Sequence, residues 1–284
     1  MSKFFCDTNS ELWYTKAEEL GVNVIKMPYT LGSEMYFYDL GKQTDIKGFF
    51  EGMRNGESAK TQALNMDEYI EYFEPVFAQG EDILYVTFSQ QMSGTFNSMR
   101  LAIETLSEKY PERKITVVDT ESISYGAGVI VVEAAKLHAS GASDEDVVNF
   151  VEYFKKKSRI YFTVADLKYL VRGGRLSAIA GAVGNLLNLK PIIGVSEGKL
   201  ASLTKVNGRK KSIFTLIEKL SLDDADFNYP VTLLHADNED DLEIMKTVVL
   251  QKYPDAKIEL HMVGPVIGAH CGPDTMGIVF VKKD

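Results

Sequence analysis

Ser93 stands in Gln91-Met92-Ser93-Gly94-Thr95, directly after the apolar run Asp82–Phe88 and at the start of a segment with helical periodicity. Unpaired backbone N–H groups and the positive end of a helix dipole attract anions at such a point, and a hydroxyl beside them suits a carboxylate. The same placement suits an ordinary helix N-cap. Thr61, in Ala59-Lys60-Thr61-Gln62-Ala63, reads as a loop or helix-cap hydroxyl with the same two meanings. His270 lies in Gly264-Pro265-Val266-Ile267-Gly268-Ala269-His270-Cys271-Gly272-Pro273, where glycine and proline on both sides fix one side chain at a loop. A lone histidine so placed is a satisfied structural residue, a ligand or a base. Arg172-Gly173-Gly174-Arg175 puts two guanidinium groups around a glycine break, where backbone can approach a ligand or a partner surface. Taken alone, that glycine pair is equally a helix stop. Arg209-Lys210-Lys211 is a second local anion candidate.

Other chemistries find less support. The patterns Gly-x-x-x-x-Gly-Lys-Ser/Thr and Gly-x-Gly-x-x-Gly after a strand are both missing, so no nucleotide site or cofactor is expected. His138, His235 and His261 show no metal-ligand spacing with cysteine or acids. Cys6 and Cys271 are too few for a disulfide framework and read as small buried hydrophobes. A formal charge of −9 and a pI near 5.1 argue against nucleic acid, which is held mainly by clustered Lys and Arg. The longest strongly apolar stretches, such as Ala127–Val132, are far too short to span a bilayer, so no stable membrane insertion is expected. The opening Met1–Asp7 reaches a charge before an apolar core of signal-peptide length develops, and the expected location is the cytoplasm.

These side chains need elements to position them. Strand 82–88, helix to Tyr110, strand Ile115–Asp119 and an apolar helix Ser124–Ala139 alternate, which implies a parallel sheet with right-handed crossovers. A helix that is apolar on nearly all sides must be sandwiched, here between the sheet and a second body. A polar helix from Ser143 leads to strand Ile160–Val164, beyond which the pattern changes. A helix at Asp166–Arg172, a small-residue helix near Ala178–Leu187, two strands around Ser196-Glu197-Gly198-Lys199, a helix after Arg209 and a strand–helix–strand over 231–263 follow. The expectation is an α/β fold: an N-terminal parallel-sheet α/β domain over 1–158 and a C-terminal α+β domain over 159–284.

Five motifs in order carry a resemblance to a known family: Asp7-Thr8, Lys60-Thr61, Ser93-Gly94-Thr95, Leu170-x-x-Gly173-Gly174-Arg175-Leu176 with Lys190-Pro191-Ile192, and Gly264 to His270. Together they resemble the DegV family of bacterial fatty-acid-binding proteins over nearly the whole chain. The resemblance implies a long-chain fatty acid, palmitate or similar, between the two domains. It implies that Thr61 and Ser93 hold the carboxylate, that Gly94 belongs to the fatty-acid-binding residues, and that Arg209 and His270 line or polarise the surroundings. It also implies a separate ATP-binding fatty acid kinase subunit as partner, with Arg172 and Arg175 as contacts to it. The chain departs from the family in Gln62, where a second hydroxyl often follows the threonine, in Thr8 and Thr120, where serine is frequent, and in the ending His270-Cys271-Gly272-Pro273-Asp274.

Two other readings remain open on sequence. Ser93 as nucleophile with His270 as base would make a hydrolase or acyltransferase, although the Gly-x-Ser-x-Gly elbow is missing and no acid partner stands out. A lipid-responsive regulatory module is the third.

Overall fold

Every residue of Ile83–Thr87 is buried, as a central strand covered on both faces must be. The computed structural model describes residues 2–175 and 189–284; the small-residue helix expected near 178–187 lies outside the described residues. Along the chain run β1 (Lys3–Asp7), α1 (Tyr14–Glu19), β2 (Asn23–Ile25), β3 (Pro28–Leu31), β4 (Glu34–Phe37), α2 (Ile46–Arg54), β5 (Ala59–Thr61), α3 (Met66–Ala78), β6 (Ile83–Thr87), α4 (Thr95–Lys109), β7 (Ile115–Asp119), α5 (Ser124–Ala139) and α6 (Asp144–Phe154). There follow β8 (Ser158–Thr163), α7 (Lys168–Arg172), β9 (Leu189–Ser196), β10 (Lys199–Asn207), α8 (Arg209–Leu222), β11 (Val231–His235), α9 (Glu239–Lys252), β12 (Ile258–Met262), α10 (Pro265–Cys271) and β13 (Met276–Val281).

The first sheet is parallel throughout, in the order β2-β1-β6-β7. A second, mixed sheet runs β10-β9-β8-β13-β11-β12 and begins in the chain at Ser158. The fold is therefore mixed α/β, as its sequence pattern predicts. Side chains of the second sheet alternate between two cores, as the period of two requires. Phe162, Ile193 and Val279 join a core continuous with the first sheet, whereas Tyr161, Ile192 and Ile278 pack in a core beneath α8 and α9. Cys6 and Cys271 are both free and buried.

Three elements differ from expectation. A small antiparallel sheet, β4-β3-β5, is assembled from strands of three or four residues, so Thr61 ends a strand, in register with Tyr29, instead of sitting in a loop or cap. The segment around His270 is a short helix with Pro265 in its first turn, where a missing N–H costs nothing. Its close packing explains its glycines: a Cβ at Gly268 would stand 2.8 Å from the Phe50 ring of α2. Finally, β13 supplies a central antiparallel strand that joins β8 to β11.

The seam between the sheets is sealed at its far edge by His261 of β12, fully buried between Trp13 and Tyr125 at ring distances of 5.1 and 4.9 Å. Burial, reinforced by nearby His235, pushes its imidazole down to about 3. The native state therefore refuses a proton that the unfolded chain accepts below about pH 6.5, and this contribution to stability is lost as pH falls from 6.5 toward 3. Between pH 7 and 4.5 the unmodified protein should lose on the order of 2 kcal/mol more stability than His261→Phe, which keeps the ring volume. Denaturant melts at both pH values measure this, and parallel losses would contradict it.

Candidate ligand-binding site

The loop after β6 and the segment after β5 are tied together by Thr95. Its hydroxyl accepts a hydrogen bond from Leu64 N at 3.1 Å and meets the Tyr69 hydroxyl at 3.0 Å. Leu64 lies just beyond Thr61 and Thr95 just beyond Ser93, so this buried bond brings the two candidate hydroxyl segments to one place. Ser93 is not the N-cap itself: Gly94 occupies that position, and the Ser93 hydroxyl accepts from Thr95 N at 3.2 Å. One step upstream, Ser89 donates to the carbonyl of Gly198 at 2.6 Å, docking the tip of the β9–β10 hairpin onto the same loop.

Opposite these hydroxyls stands α10. His270 Nε2 lies 2.8 Å from Thr61 Oγ1. Burial, with the Arg175 charge adding to it, pushes the imidazole down to about 4, so it is neutral at physiological pH. Its Nδ1 is buried with no partner among the described residues, and a Cβ on Gly173 would sit 2.3 Å from that atom. Orphaned buried N–H groups are rarer than under-satisfied acceptors, which places the proton on Nε2. Nε2–H then donates to Thr61, and the threonine hydroxyl keeps its own hydrogen free to donate into the space beyond.

That space is a cavity between the two sheets, with about 920 Å³ of empty volume when its open mouth is included. Thr61, Gln62, Ser93, Arg175 and His270 form a polar group on its wall, whereas Phe88, Ile160, Phe162, Leu200, Leu234 and Val266 are typical of the apolar remainder.

Not every expected residue is here. Gly94 is exposed and follows the lining without joining it. Arg209 is elsewhere: its Nε pairs with Asp241 at 2.7 Å and its Nη2 donates to the carbonyl of Asp274 at 2.5 Å, so it braces α8 against α9 instead of lining the cavity. The structure also separates the two arginines of the glycine break. Arg172 is exposed at the end of α7. Gly174 then adopts φ +70, a conformation open to glycine, and Arg175 N returns to Leu170 O at 2.9 Å. This turn points Arg175 back into the cavity wall, where Nη1 donates to Gly173 O at 2.6 Å and Nη2 to Met92 O at 3.0 Å. The missed apolar lining left one signal in the sequence, the period-two placement of Ile160 and Phe162 on β8.

Fold and site define an α/β protein with an apolar chamber between two sheets and a hydroxyl–imidazole–guanidinium group on its wall. The chain belongs to the DegV family, whose model, described as an uncharacterised protein family, matches residues 3–283. A DegV domain-containing protein of Clostridium perfringens is 34% identical, the match covering 99% of this chain and 98% of the relative. Among solved structures, DegV of Bacillus subtilis, described as a fatty acid binding protein, is 27% identical with a TM-score of 0.84 and 99% coverage of both chains. A DegV family protein from Thermus thermophilus, described by its fatty acid binding, is 25% identical with a TM-score of 0.85 and 99% coverage of both.

The contact between Gly173 and His270 generates a direct test. Gly173→Ala must displace the imidazole from Thr61 or shift the α7 turn, at a cost of about 1–3 kcal/mol by analogy with overpacking. Thermal melts and the histidine ring-nitrogen NMR shifts should both change; unaltered His270 signals would show that the ring does not depend on this gap.

Proposed function

We propose that this protein binds a long-chain fatty acid in the cavity, with Thr61 and Ser93 holding the carboxylate and Arg175 beside it, and presents the ligand to a separate ATP-binding kinase subunit for acyl-phosphate formation. The observation that carries the lipid reading is the combination of a largely apolar chamber with a cluster of hydroxyl, imidazole and guanidinium groups on its wall. A palmitate-sized tail has roughly 14 methylenes, whose burial at about 0.8 kcal/mol each is worth on the order of 11 kcal/mol before ordering costs. Taking a carboxylate from water without partners costs several kcal/mol, and hydroxyl donors with a nearby guanidinium are the compensation such a group needs. The fatty-acid-binding relatives of the same family support the ligand class. The kinase partner rests on the motif resemblance alone, and Arg172, exposed beside the site, is the residue we assign to that contact. No cofactor enters this account.

The geometry favours binding over nucleophilic catalysis. Of the two ring nitrogens of His270, Nε2 carries the proton and faces Thr61 while the basic Nδ1 is turned toward Gly173, and an imidazole held near 4 by burial is a weak general base at neutral pH.

The test compares acid with ester. Hydrogen bonds to a charged group are worth about 1.5–3 kcal/mol, so Thr61→Val or Ser93→Ala should weaken fatty-acid binding roughly tenfold or more. A fatty-acid methyl ester should bind the unmodified protein less well and respond little to either change. Arg175→Ala should behave like the hydroxyl variants, whereas Arg172→Ala should leave lipid affinity unchanged. Equal losses for acid and ester, with a lowered melting temperature of the lipid-free protein, would mean that Thr61 and Ser93 only support the fold.

A further inference from the structure

Ser124 lines the same cavity but plays no part in holding a carboxylate. Its hydroxyl is hydrogen-bonded to Glu11 Oε2, and Glu11 Oε1 takes the backbone N–H of Gly264 at 2.5 Å. Glu11 is completely buried and Ser124 nearly so. Both residues have left-handed backbones, with φ of 53° for Glu11 and 52° for Ser124. That conformation is costly for residues bearing a Cβ and persists where the surroundings impose it, often at ligand-binding sites. Asn9, also in the lining, lies beside them on the turn after β1.

The position of this group along the cavity follows from α10. Gly264, bonded to Glu11, caps the start of that helix, and His270, bonded to Thr61, lies six residues further on. At about 1.5 Å per residue the two polar loci are roughly 9 Å apart along the helix. A fatty acid anchored by its carboxylate at Thr61 would pass the second locus with the middle of its chain.

We propose that Ser124, with Glu11 and Asn9, forms a second polar station that receives an oxygen carried in mid-chain, so that the ligand class includes hydroxylated long-chain fatty acids. This rests on the carboxylate reading of Thr61 and Ser93. Burial raises the Glu11 carboxyl to about 8, leaving it mostly protonated at neutral pH. A protonated Glu11 donates to Ser124 and frees the serine hydrogen to donate outward, while the serine oxygen keeps a lone pair. Such a group matches an alcohol, which both gives and accepts a hydrogen bond.

The experiment measures affinities of stearate, a mid-chain hydroxystearate and ω-hydroxystearate for the full-length protein and for Ser124→Gly. Glycine removes the hydroxyl and adopts the left-handed backbone freely, so the fold is expected to survive. An added hydroxyl in a purely apolar pocket costs up to about a hundredfold. The station predicts instead that the mid-chain alcohol binds the unmodified protein within about threefold of stearate, while ω-hydroxystearate binds at least about tenfold more weakly. In Ser124→Gly the mid-chain alcohol alone should weaken, by about tenfold or more. Equal weakness of the two alcohols in the unmodified protein overturns the proposal, as does a variant that loses stearate and mid-chain alcohol alike. If Ser124→Gly does not fold, the three-ligand series on the unmodified protein decides. Tight stearate binding with rejection of both alcohols sinks only this station; absence of stearate binding removes the carboxylate reading as well.

Discussion

A hydroxyl and an imidazole 2.8 Å apart, drawn from positions 209 residues apart in the chain, set the terms for the rest of the molecule. Neither group tolerates burial without a partner, and each is delivered by an element that makes sense only in company. Thr61 ends a three-residue strand with little stability of its own. His270 stands next to last in a seven-residue helix, too short to persist alone. Gly268 lets α2 pack closely on α10, Gly173 leaves room for the imidazole, and the Thr95 hydroxyl clamps the Ser93 loop to the segment beyond Thr61. The polar cluster is thus a product of long-range packing and is rigid to the extent that the two sheets stay together.

Buried titratable groups are managed by the same economy. The carboxyl of Asp7 accepts hydrogen bonds from Asn9 N, the Tyr85 hydroxyl and Phe88 N at 3.0 to 3.2 Å, which fixes the end of β1 beside the cavity. Glu11 does comparable work between α5 and α10. His261 and His270 are held neutral by burial, so neither brings a charge into the apolar seam at physiological pH. Among the described residues, Arg175 is the cation on the chamber wall, its guanidinium anchored by two backbone carbonyls. Across the seam, Arg54 of α2 pairs with Asp237 and Asp274, and Lys47 with Glu239. These exposed pairs contribute little individually; the joint depends mainly on apolar burial.

How much of this was legible in the sequence depended on whether the signal was local. The strand Ile115–Asp119 and the helix at about Ser124–Ala139 were readable because periodicity and punctuation lie within each segment. The sheet β4-β3-β5 was not, since strands of three or four residues, one exposed along its whole length, give no alternation to read. Arg172 and Arg175 look equivalent in a linear pattern; only the left-handed turn at Gly174 sends one outward and the other into the cavity wall. Arg209 resembled a ligand-binding group because the residues that neutralise it, Asp241 and the Asp274 carbonyl, are remote in sequence. The chemistry of Thr61, Ser93 and His270 came from residue type and family resemblance, and their meeting point came from tertiary packing.

The central claim is that the cavity exists to hold an acyl chain by burial of its methylenes and by partners for its carboxylate. Native mass spectrometry of protein purified without denaturation, followed by solvent extraction and identification of the released small molecule, tests it most directly. The account predicts a mass increment matching one long-chain fatty acid per chain, recovered as the free acid. Protein that carries no lipid and takes up no added fatty acid tightly would contradict it.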